Sequence, residues 1–276
     1  MNKIIKEVQE SLTNLKRVKP LVHCITNYIT ANDCANAILA VGGSPAMADA
    51  IEEVEQMATQ AQALVLNLGT IANELVDVMI KAGKAANKAG VPVVFDPVGV
   101  GATNYRKEST FRLLKEVKFS VIRGNMAEIK VLCGMEANSK GVDSVEDVKE
   151  EAAKDIAKKL ARKLKTVVAI TGVIDYISDG ERVITIRNGN EMLTRVTGTG
   201  CMTTALIGAY LGGGSSPLSC AVAGVSTMGI VGEVAFENLK KNGGSGSFRV
   251  SLIDGIYNLK KADFKERGKI NEEDWL

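Results

Sequence analysis

The amino-acid sequence predicts an α/β protein whose central sheet is mostly parallel and flanked by helices. Two observations carry this prediction. Short apolar runs alternate with longer segments of helical periodicity from residue 21 to residue 172, which is typical of βα units. The run at residues 91–97 is apolar at consecutive positions, as in a strand covered on both faces. No linker, repeat or low-complexity tract interrupts the 276 residues, so we expect one domain over residues 1–276.

The predicted elements follow one another in a regular order. Apolar side chains at Ile5, Val8, Leu12 and Leu15 lie on one face of an N-terminal helix. Strands are predicted at residues 21–26, 63–69, 91–97, 119–125 and 166–172. Helices are predicted at residues 31–40, 71–89 and 144–165. The last of these is an exposed helix with i,i+4 ion pairs such as Glu150–Lys154. Residues 96–106 are interpreted as a glycine-containing loop.

The pattern changes after residue 172. Residues 173–195 predict two strands around a turn at Asp179–Gly180, which adds an antiparallel edge to the sheet. Beyond Arg195 the pattern is helical to about residue 261. Residues 196–232 carry no charged side chain, but the apolar piece at residues 201–211 is too short to cross a membrane. We therefore expect two helices packed inside the protein.

The composition excludes several classes of site. Lys and Arg number 34 against 32 Asp and Glu, and a net charge of +2 provides no field for nucleic acid or a membrane surface. A single histidine, His23, excludes a multi-histidine metal centre. Five cysteines without a CxxC pair argue against disulfides or zinc. The N-terminus lacks the apolar segment of a signal peptide, so we expect a cytoplasmic protein.

Polar residues follow the predicted parallel strands, where ligands bind in open α/β sheets. These residues are Asn67, Gly69, Asp96, Arg123, Asn125, Thr171 and Gly172. Asp96 at a strand end is suited to Mg²⁺, although it could instead cap the next turn. Arg123 is a candidate for phosphate and Glu128 for metal. The alternative is that Asn125 caps a helix and Glu128 completes a capping box.

The segment from Gly198 to Cys201 is the strongest local signal. Gly198, Thr199 and Gly200 lead directly into an uncharged helix, whose free N–H groups and dipole could form an anion site; a plain glycine turn is the alternative. It matches neither a Walker loop nor GxGxxG. Cys201 lies in the first helical turn, where the dipole favours a thiolate, although free cysteine is often simply buried. We interpret the other four cysteines as core residues, and His23 as core or pocket.

Seven segments in one order resemble a known family. They are VHCITNYIT (22–30), GGSPAMA (42–48), NLGT (67–70), FDPVGVGAT (95–103), IRGNMAEI (122–129), AITG (169–172) and VTGTGCMTTA (196–205). Over residues of about 12 to 262 the sequence resembles the hydroxyethylthiazole kinases. The resemblance implies a ribokinase-like, three-layer α/β/α fold and transfer of the ATP γ-phosphate to the hydroxyl of 4-methyl-5-(2-hydroxyethyl)thiazole with Mg²⁺. It also implies a homotrimer with active sites between subunits.

The same resemblance implies roles for individual residues. Met47 and Gly198 contact the thiazole, with Asn27 in the same pocket. Arg123 and Thr171 bind ATP, and Asp96 and Glu128 organise Mg²⁺ and the phosphates. Gly198, Thr199, Gly200 and Cys201 form the anion hole. The wider superfamily usually has a catalytic Asp where this sequence has Cys201, so the resemblance makes Cys201 the candidate base.

Other functions remain open at this point. A related kinase for a pyrimidine alcohol would use the same fold, and nicotinamide-hydrate dehydratases share it but usually have Asp at the position of Cys201. A thiol hydrolase would pair Cys201 with His23. A small-molecule carrier would bind the thiazole without turning over ATP.

Overall fold

The computed structural model describes residues 3–135 and 149–272. Within them, nine strands form one sheet in the order β2-β1-β3-β4-β5-β6-β7-β8-β9. The strands are β1 (Leu21–Ile25), β2 (Ser44–Ala46), β3 (Ala63–Asn67), β4 (Val93–Asp96), β5 (Val121–Asn125), β6 (Val167–Thr171), β7 (Asp175–Ser178), β8 (Val183–Ile186) and β9 (Ile270–Glu272). Strands β1–β6 pair in parallel and β6–β9 pair antiparallel. The predicted mostly parallel sheet with an antiparallel edge is confirmed.

Helices cover both faces of the sheet. They are α1 (Lys3–Val18), α2 (Ala31–Val41), α3 (Val54–Gln60), α4 (Asn73–Ala89), α5 (Asn104–Glu116), α6 (Met126–Leu132), α7 (Glu150–Leu164), α8 (Thr199–Gly212), α9 (Pro217–Glu237), α10 (Ser245–Asn258) and α11 (Asp263–Glu266). Helices α1, α2 and α8–α11 share one hydrophobic core with the sheet, and α3–α7 share the other. The strands alternate between the cores: Val65 faces the first, whereas Leu64 and Leu66 face the second.

The uncharged helices α8 and α9 lie against the sheet and against each other. Gly208 of α8 lies so close to Val65 of β3 that a Cβ there would overlap the Val65 side chain. A Cβ on Gly224 of α9 would lie 2.5 Å from Ile207. Helix α9 is long and apolar enough to span a membrane, but 89% of its most apolar window is buried within the protein. The structure agrees with the prediction of two packed core helices.

Four elements differ from the sequence-based expectation. Strands β2 and β9 have three residues each and helix α3 has seven, which is too short for a periodic pattern to be recognised. Helix α5 falls partly in the segment interpreted as a loop. Its start is marked instead by Thr103, whose hydroxyl accepts from Arg106 N at 3.2 Å.

The helix expected at residues 144–165 begins, in the described part, at Glu150; residues 144–148 lie outside the described residues. One face of α7 is buried, so it is less exposed than expected. Glu150 lies 2.6 Å from Arg187, which directly follows β8, and Lys154 Nζ lies 3.0 Å from Glu151. The hydrogen bond from Arg187 and, to a smaller extent, the charge of Lys154 lower the pKa of Glu150, so Glu150 and Lys154 also interact.

Candidate active site

The carboxyl ends of four parallel strands and the start of α8 meet at one edge of the sheet. Asn67 ends β3, Asp96 ends β4 and Thr171 ends β6, while Arg123 lies within β5. Cys201 lies in the first turn of α8. This is the edge at which the sequence analysis placed the polar residues, and open parallel sheets bind ligands there.

Asp96 is fully buried and faces helix α8. Its Oδ2 accepts a hydrogen bond from Thr204 Oγ1 at 2.7 Å and lies 3.4 Å from Arg123 Nη1. Its Oδ1 has no hydrogen-bond partner among the described residues. Burial raises the pKa of Asp96, and the positive charge of Arg123 and the hydrogen bonds offset part of that rise. A buried carboxylate with an unpartnered oxygen is a ready acceptor for a cation.

Arg123 joins three elements of the site. Its Nη2 donates to Thr171 Oγ1 at 2.5 Å and its Nη1 contacts Asp96. A Cβ on Gly200 would lie 2.5 Å from Nη1, so the guanidinium rests against the backbone of α8. Only glycine allows this approach at residue 200. The positively charged guanidinium of Arg123 is therefore held beside the first turn of α8.

Both carboxylate oxygens of Glu128 accept hydrogen bonds from backbone N–H groups. Its Oε2 accepts from Asn125 N at 2.8 Å while Asn125 Oδ1 accepts from Glu128 N, a complete capping box for α6. Its Oε1 accepts from Gly99 N at 2.8 Å. Burial, and next the negative charge of Asp96, raise the pKa of Glu128 to about 7. The capping-box alternative is confirmed, and the metal role expected for Glu128 stays a prediction.

The Gly198–Cys201 segment requires glycine for steric reasons. Gly198 has φ +85°, in the left-handed region, and a Cβ there would overlap the side chain of Thr30. Its carbonyl accepts from Met202 N at 2.8 Å, which starts α8. The N–H groups of Thr199, Gly200 and Cys201 precede the first intrahelical hydrogen bonds and are therefore available to an anion.

The sulfur of Cys201 lies between two asparagine amides. Asn67 Nδ2 donates to Sγ at 3.3 Å and Asn27 Nδ2 donates at 3.4 Å. Burial, followed by the negative charge of Asp96, raises the pKa of the Cys201 thiol. Burial therefore opposes the thiolate that the helix start was expected to favour, and the base role expected for Cys201 stays a prediction.

The other cysteines and His23 have different surroundings. Cys24, Cys34 and Cys220 are buried as expected, whereas Cys133 is only half-buried at the end of α6. His23 is buried in β1, its Nε2 lies 2.7 Å from Ala48 O, and burial lowers its pKa. The described contacts of His23 do not include Cys201, so the structure offers no support for a Cys–His dyad.

The substrate-pocket candidates differ in their exposure. Asn27 is buried and directs its amide at Asn67 and Cys201. Met47 follows β2 and is exposed. Gly198 is half-buried at the start of α8. Met47 and Gly198 are thus both accessible to solvent in this chain.

The sequence analysis missed Asp175. This residue begins β7, and its Oδ1 accepts from Gly172 N at 3.0 Å, which fixes the turn after Thr171. Burial raises the pKa of Asp175 to about 7, and the charge of Arg123 counteracts part of the rise. The signal in the sequence was the Asp three residues after Gly172, a spacing at which a side chain can close a turn.

Arg106 was missed as well. From α5 it donates to the carbonyl oxygens of Leu68 at 2.6 Å, Gly69 at 2.7 Å and Val98 at 2.8 Å. It therefore ties the loops that follow β3 and β4 to each other. Nothing in the sequence singled it out, because the segment was interpreted as a loop.

Comparisons with known proteins agree over almost the whole chain. Residues 12–262 match the model of the hydroxyethylthiazole kinase family. A hydroxyethylthiazole kinase of Clostridium botulinum (strain Eklund 17B / Type B) is 50% identical over 281 residues, covering 98% of each chain. The structure of a hydroxyethylthiazole kinase protein from Pyrococcus horikoshii OT3 is similar with TM-score 0.87 and 39% identity, covering 98% of this chain and 100% of that one. A pyridoxal kinase from Staphylococcus aureus in complex with ADP shares the fold at 17% identity, with TM-score 0.62 and coverage of 92% and 98%.

Proposed function

This chain belongs to the hydroxyethylthiazole kinase family, and from that membership we propose how its residues transfer the γ-phosphate of ATP to an alcohol. The enzyme is a kinase with a ribokinase-like fold. It phosphorylates the hydroxyl of 4-methyl-5-(2-hydroxyethyl)thiazole, a reaction of thiamine biosynthesis and salvage. One observation carries the mechanism: Arg123 bridges Asp96, Thr171 and the backbone of Gly200 at the start of α8.

Arg123 and Thr171 bind the nucleotide in this proposal. The guanidinium and the N–H groups of residues 199–201 neutralise charge on the γ-phosphate as it moves between oxygens. The hydrogen bond from Arg123 to Thr171 fixes the guanidinium before ATP arrives. Little reorganisation is then needed at the moment of transfer, which is how fixed charges lower a barrier most effectively.

The acidic residues suit Mg²⁺ bound together with ATP. Asp96 Oδ1 is buried without a hydrogen-bond partner among the described residues. Glu128 lies close enough to Asp96 for the negative charge of Asp96 to contribute to the raised pKa of Glu128. No group of three or more metal-binding side chains occurs in residues 3–135 and 149–272. Such a donor set fits an ion held by one or two carboxylates, substrate phosphates and water. When bound, Mg²⁺ would supply charge neutralisation between the phosphates.

Cys201 receives the substrate proton in this proposal. The thiazole hydroxyl loses its proton to the sulfur, and its oxygen attacks the γ-phosphorus in line. The bond from the γ-phosphorus to the bridging oxygen breaks, and ADP leaves. Burial raises the pKa of Cys201, so the reactive thiolate is scarce at neutral pH and turnover rises with pH. A weak base is sufficient because phosphoryl transfer depends mostly on positioning and charge.

The thiazole lies between Met47 and Gly198 in this proposal. Met47 is exposed in one chain, and Tyr28 and Ile29, which follow Asn27, are exposed apolar residues at 81% and 59%. These exposed side chains support a subunit interface that closes the site, and the family resemblance makes the assembly a homotrimer. Sedimentation should give three times the mass of 29.3 kDa; an active monomer would contradict this. We also propose that residues 1–276 act as one kinase domain in the cytoplasm, in keeping with the five free cysteines.

The direct test is an ATP-dependent phosphorylation assay on hydroxyethylthiazole. A pyrimidine alcohol and hydrated NADH serve as controls for the related kinase and dehydratase activities. We expect phosphate on the thiazole and neither control reaction. Cys201→Asp should keep substantial activity, because a carboxylate can accept the proton. A folded Cys201→Asp enzyme that binds substrate but does not turn over would contradict the role of Cys201 as base.

A further inference from the structure

The amide of Asn67 has only one orientation that satisfies its neighbours. Its Oδ1 accepts two hydrogen bonds, from Gly69 N at 2.9 Å and from Asn27 Nδ2 at 2.9 Å. Because an amide oxygen accepts and an amide nitrogen only donates, the nitrogen must face Cys201 Sγ. The side chain is 1% exposed, so water does not compete for these contacts.

The amide of Asn27 is fixed in the same way. Its Oδ1 accepts from Thr30 N at 3.0 Å, which directs Nδ2 toward Asn67 and Cys201. A Cβ on Gly69 would lie 2.7 Å from the Asn27 amide, so the backbone of the loop after β3 holds that side chain in place. Two elements thus present one N–H group each to the same sulfur.

We propose that Asn27 and Asn67 are positioning residues that hold Cys201 Sγ as a hydrogen-bond acceptor from two amides. With both amides donating, the thiol proton has to point away from them. On deprotonation the sulfur keeps both donors, whose hydrogen bonds strengthen to a charged acceptor. The inference rests on the proposed role of Cys201 as base and assigns Asn27 to that role rather than to the thiazole.

The charges around the sulfur explain why such donors matter. Asp96 of β4 opposes the thiolate, and the buried thiol of Cys34 on α2 lies close enough to interact. Arg123 of β5 and hydrogen bonds from Thr30 and Asn67 favour the thiolate. In the free protein, burial and the charge of Asp96 raise the pKa of Cys201 by more than the other groups lower it. Removal of an amide donor should therefore raise this pKa further.

The test is the pH dependence of Cys201 alkylation by iodoacetamide, followed by peptide mass spectrometry on the full chain without nucleotide, thiazole or metal. Asn67→Ala and Asn27→Ala each remove one donor and should raise the midpoint by about one pH unit. Asn67→Asp keeps the acceptor for Gly69 and Asn27 but replaces the donor by a carboxylate oxygen. It preserves the loop and should raise the midpoint further.

Asn87→Ala is the matched control, because Asn87 Nδ2 donates to Lys118 O at 2.8 Å, away from the site. It should leave the midpoint of Cys201 unchanged, and Cys133 labelling should be the same in every variant. An unchanged midpoint in the folded Asn67 and Asn27 variants overturns the inference. So does a rise confined to Asn67→Asp, which reflects only the new charge.

The activity of Cys201→Ala separates this inference from the proposed function. If Cys201→Ala keeps wild-type kcat while the Asn67 variants still shift the alkylation midpoint, the base role fails and the amide arrangement stands. If Cys201→Ala is inactive but the midpoint does not move, the base role stands and the amide arrangement fails. Where both hold, the pH profile of kcat in Asn67→Ala should shift in the same direction as the alkylation midpoint.

Discussion

Arg182 and Arg123 both lie among acidic residues, but the surroundings favour the ionised form of Arg182 and oppose that of Asp96 beside Arg123. Arg182 contacts Glu272 at 2.6 Å and Glu7 at 3.1 Å, and all three side chains are 22% to 26% exposed. These contacts raise the pKa of Arg182, so the charged form is favoured. Arg123 lies 3.4 Å from Asp96, whose side chain is 1% exposed, and burial raises the pKa of that carboxyl.

The difference lies in how deeply the charges are buried and in the ratio of carboxylates to guanidinium groups. The Arg182 cluster links α1, β9 and the turn before β8, and its partly exposed guanidinium contacts two carboxylates, while Nη2 has no partner among the described residues. The active-site cluster holds Asp96, Glu128 and Asp175 near a single guanidinium, in surroundings that oppose negative charge. The first arrangement holds the structure together. The second leaves the buried carboxylates short of positive charge, which a cation bound together with ATP would supply.

Removal of the buried charge should have the largest effect. In Asp96→Asn the shape and the hydrogen bond from Thr204 remain possible, but the charge facing the site is lost. We expect kcat to fall about a thousandfold, as for loss of a strong electrostatic contributor. Steady-state kinetics with circular dichroism would measure it. A fall of less than tenfold in a folded variant would show that the charge deficit at Asp96 is not used.

The next effect concerns stability and pH at Asp175. The folded state holds its proton up to about pH 7, whereas the unfolded chain releases it near 3.8. The unfolded state therefore binds fewer protons in this window, and the free energy of unfolding falls as pH rises from about 4 to about 7. Asp175→Asn should remove on the order of 4 kcal/mol of that fall. Urea titrations at both pH limits would measure it; parallel curves for variant and wild type would contradict it.

The approach of Arg123 to α8 gives a third test. In Gly200→Ala the new methyl group would lie 2.5 Å from Arg123 Nη1 and displace the guanidinium. We expect kcat/KM for ATP to fall about a hundredfold, because a small displacement of a charged group is costly. Gly246→Ala is the matched control, since a Cβ there meets nothing within 4 Å. Equal activity of the two variants would mean that Arg123 tolerates displacement.

The smallest effect is expected at the Arg182 cluster. Arg182→Met should lower the free energy of unfolding by about 1 kcal/mol, the usual value for partly exposed pairs. Its kcat and KM should match wild type, because the cluster lies away from the strand ends that form the site. Thermal unfolding and kinetics on one preparation would test both statements. Loss of activity without loss of stability would abolish the distinction between the two clusters.

Most of the fold could be predicted because its main strands are short buried runs followed by long periodic helices. Residues 91–97 and 166–172 are examples of such runs, and β4 and β6 lie within them. Strand β2 and helix α5 could not be predicted in the same way. Strand β2 depends on pairing with β1 at Leu21–His23, and α5 has few apolar residues to mark a face. Tertiary contacts therefore determine that β2 forms a strand and that α5 forms a helix.

The clustering of Asp96, Arg123 and Thr171 could be predicted, because each of them lies at or near the end of a parallel strand. The contacts of Asn67 could not be predicted, because they depend on how its side-chain amide is oriented. The two hydrogen bonds that fix the Asn67 amide come from Gly69 and from Asn27, and Asn27 is 40 residues away in the sequence. The burial that raises the pKa of Cys201 could not be predicted either, because a sequence shows the helix start but not the depth of burial.

The close packing of Gly208 on Val65 has a consequence for laboratory evolution of this enzyme. Gly208 lies about two helical turns beyond Cys201, and Val65 lies two residues before Asn67. The contact between Gly208 and Val65 therefore fixes how closely α8, which carries Cys201, approaches β3, which carries Asn67. A larger residue at 208 would require a smaller one at 65 to keep that approach. Libraries selected for new alcohol acceptors should therefore yield paired changes at these two positions.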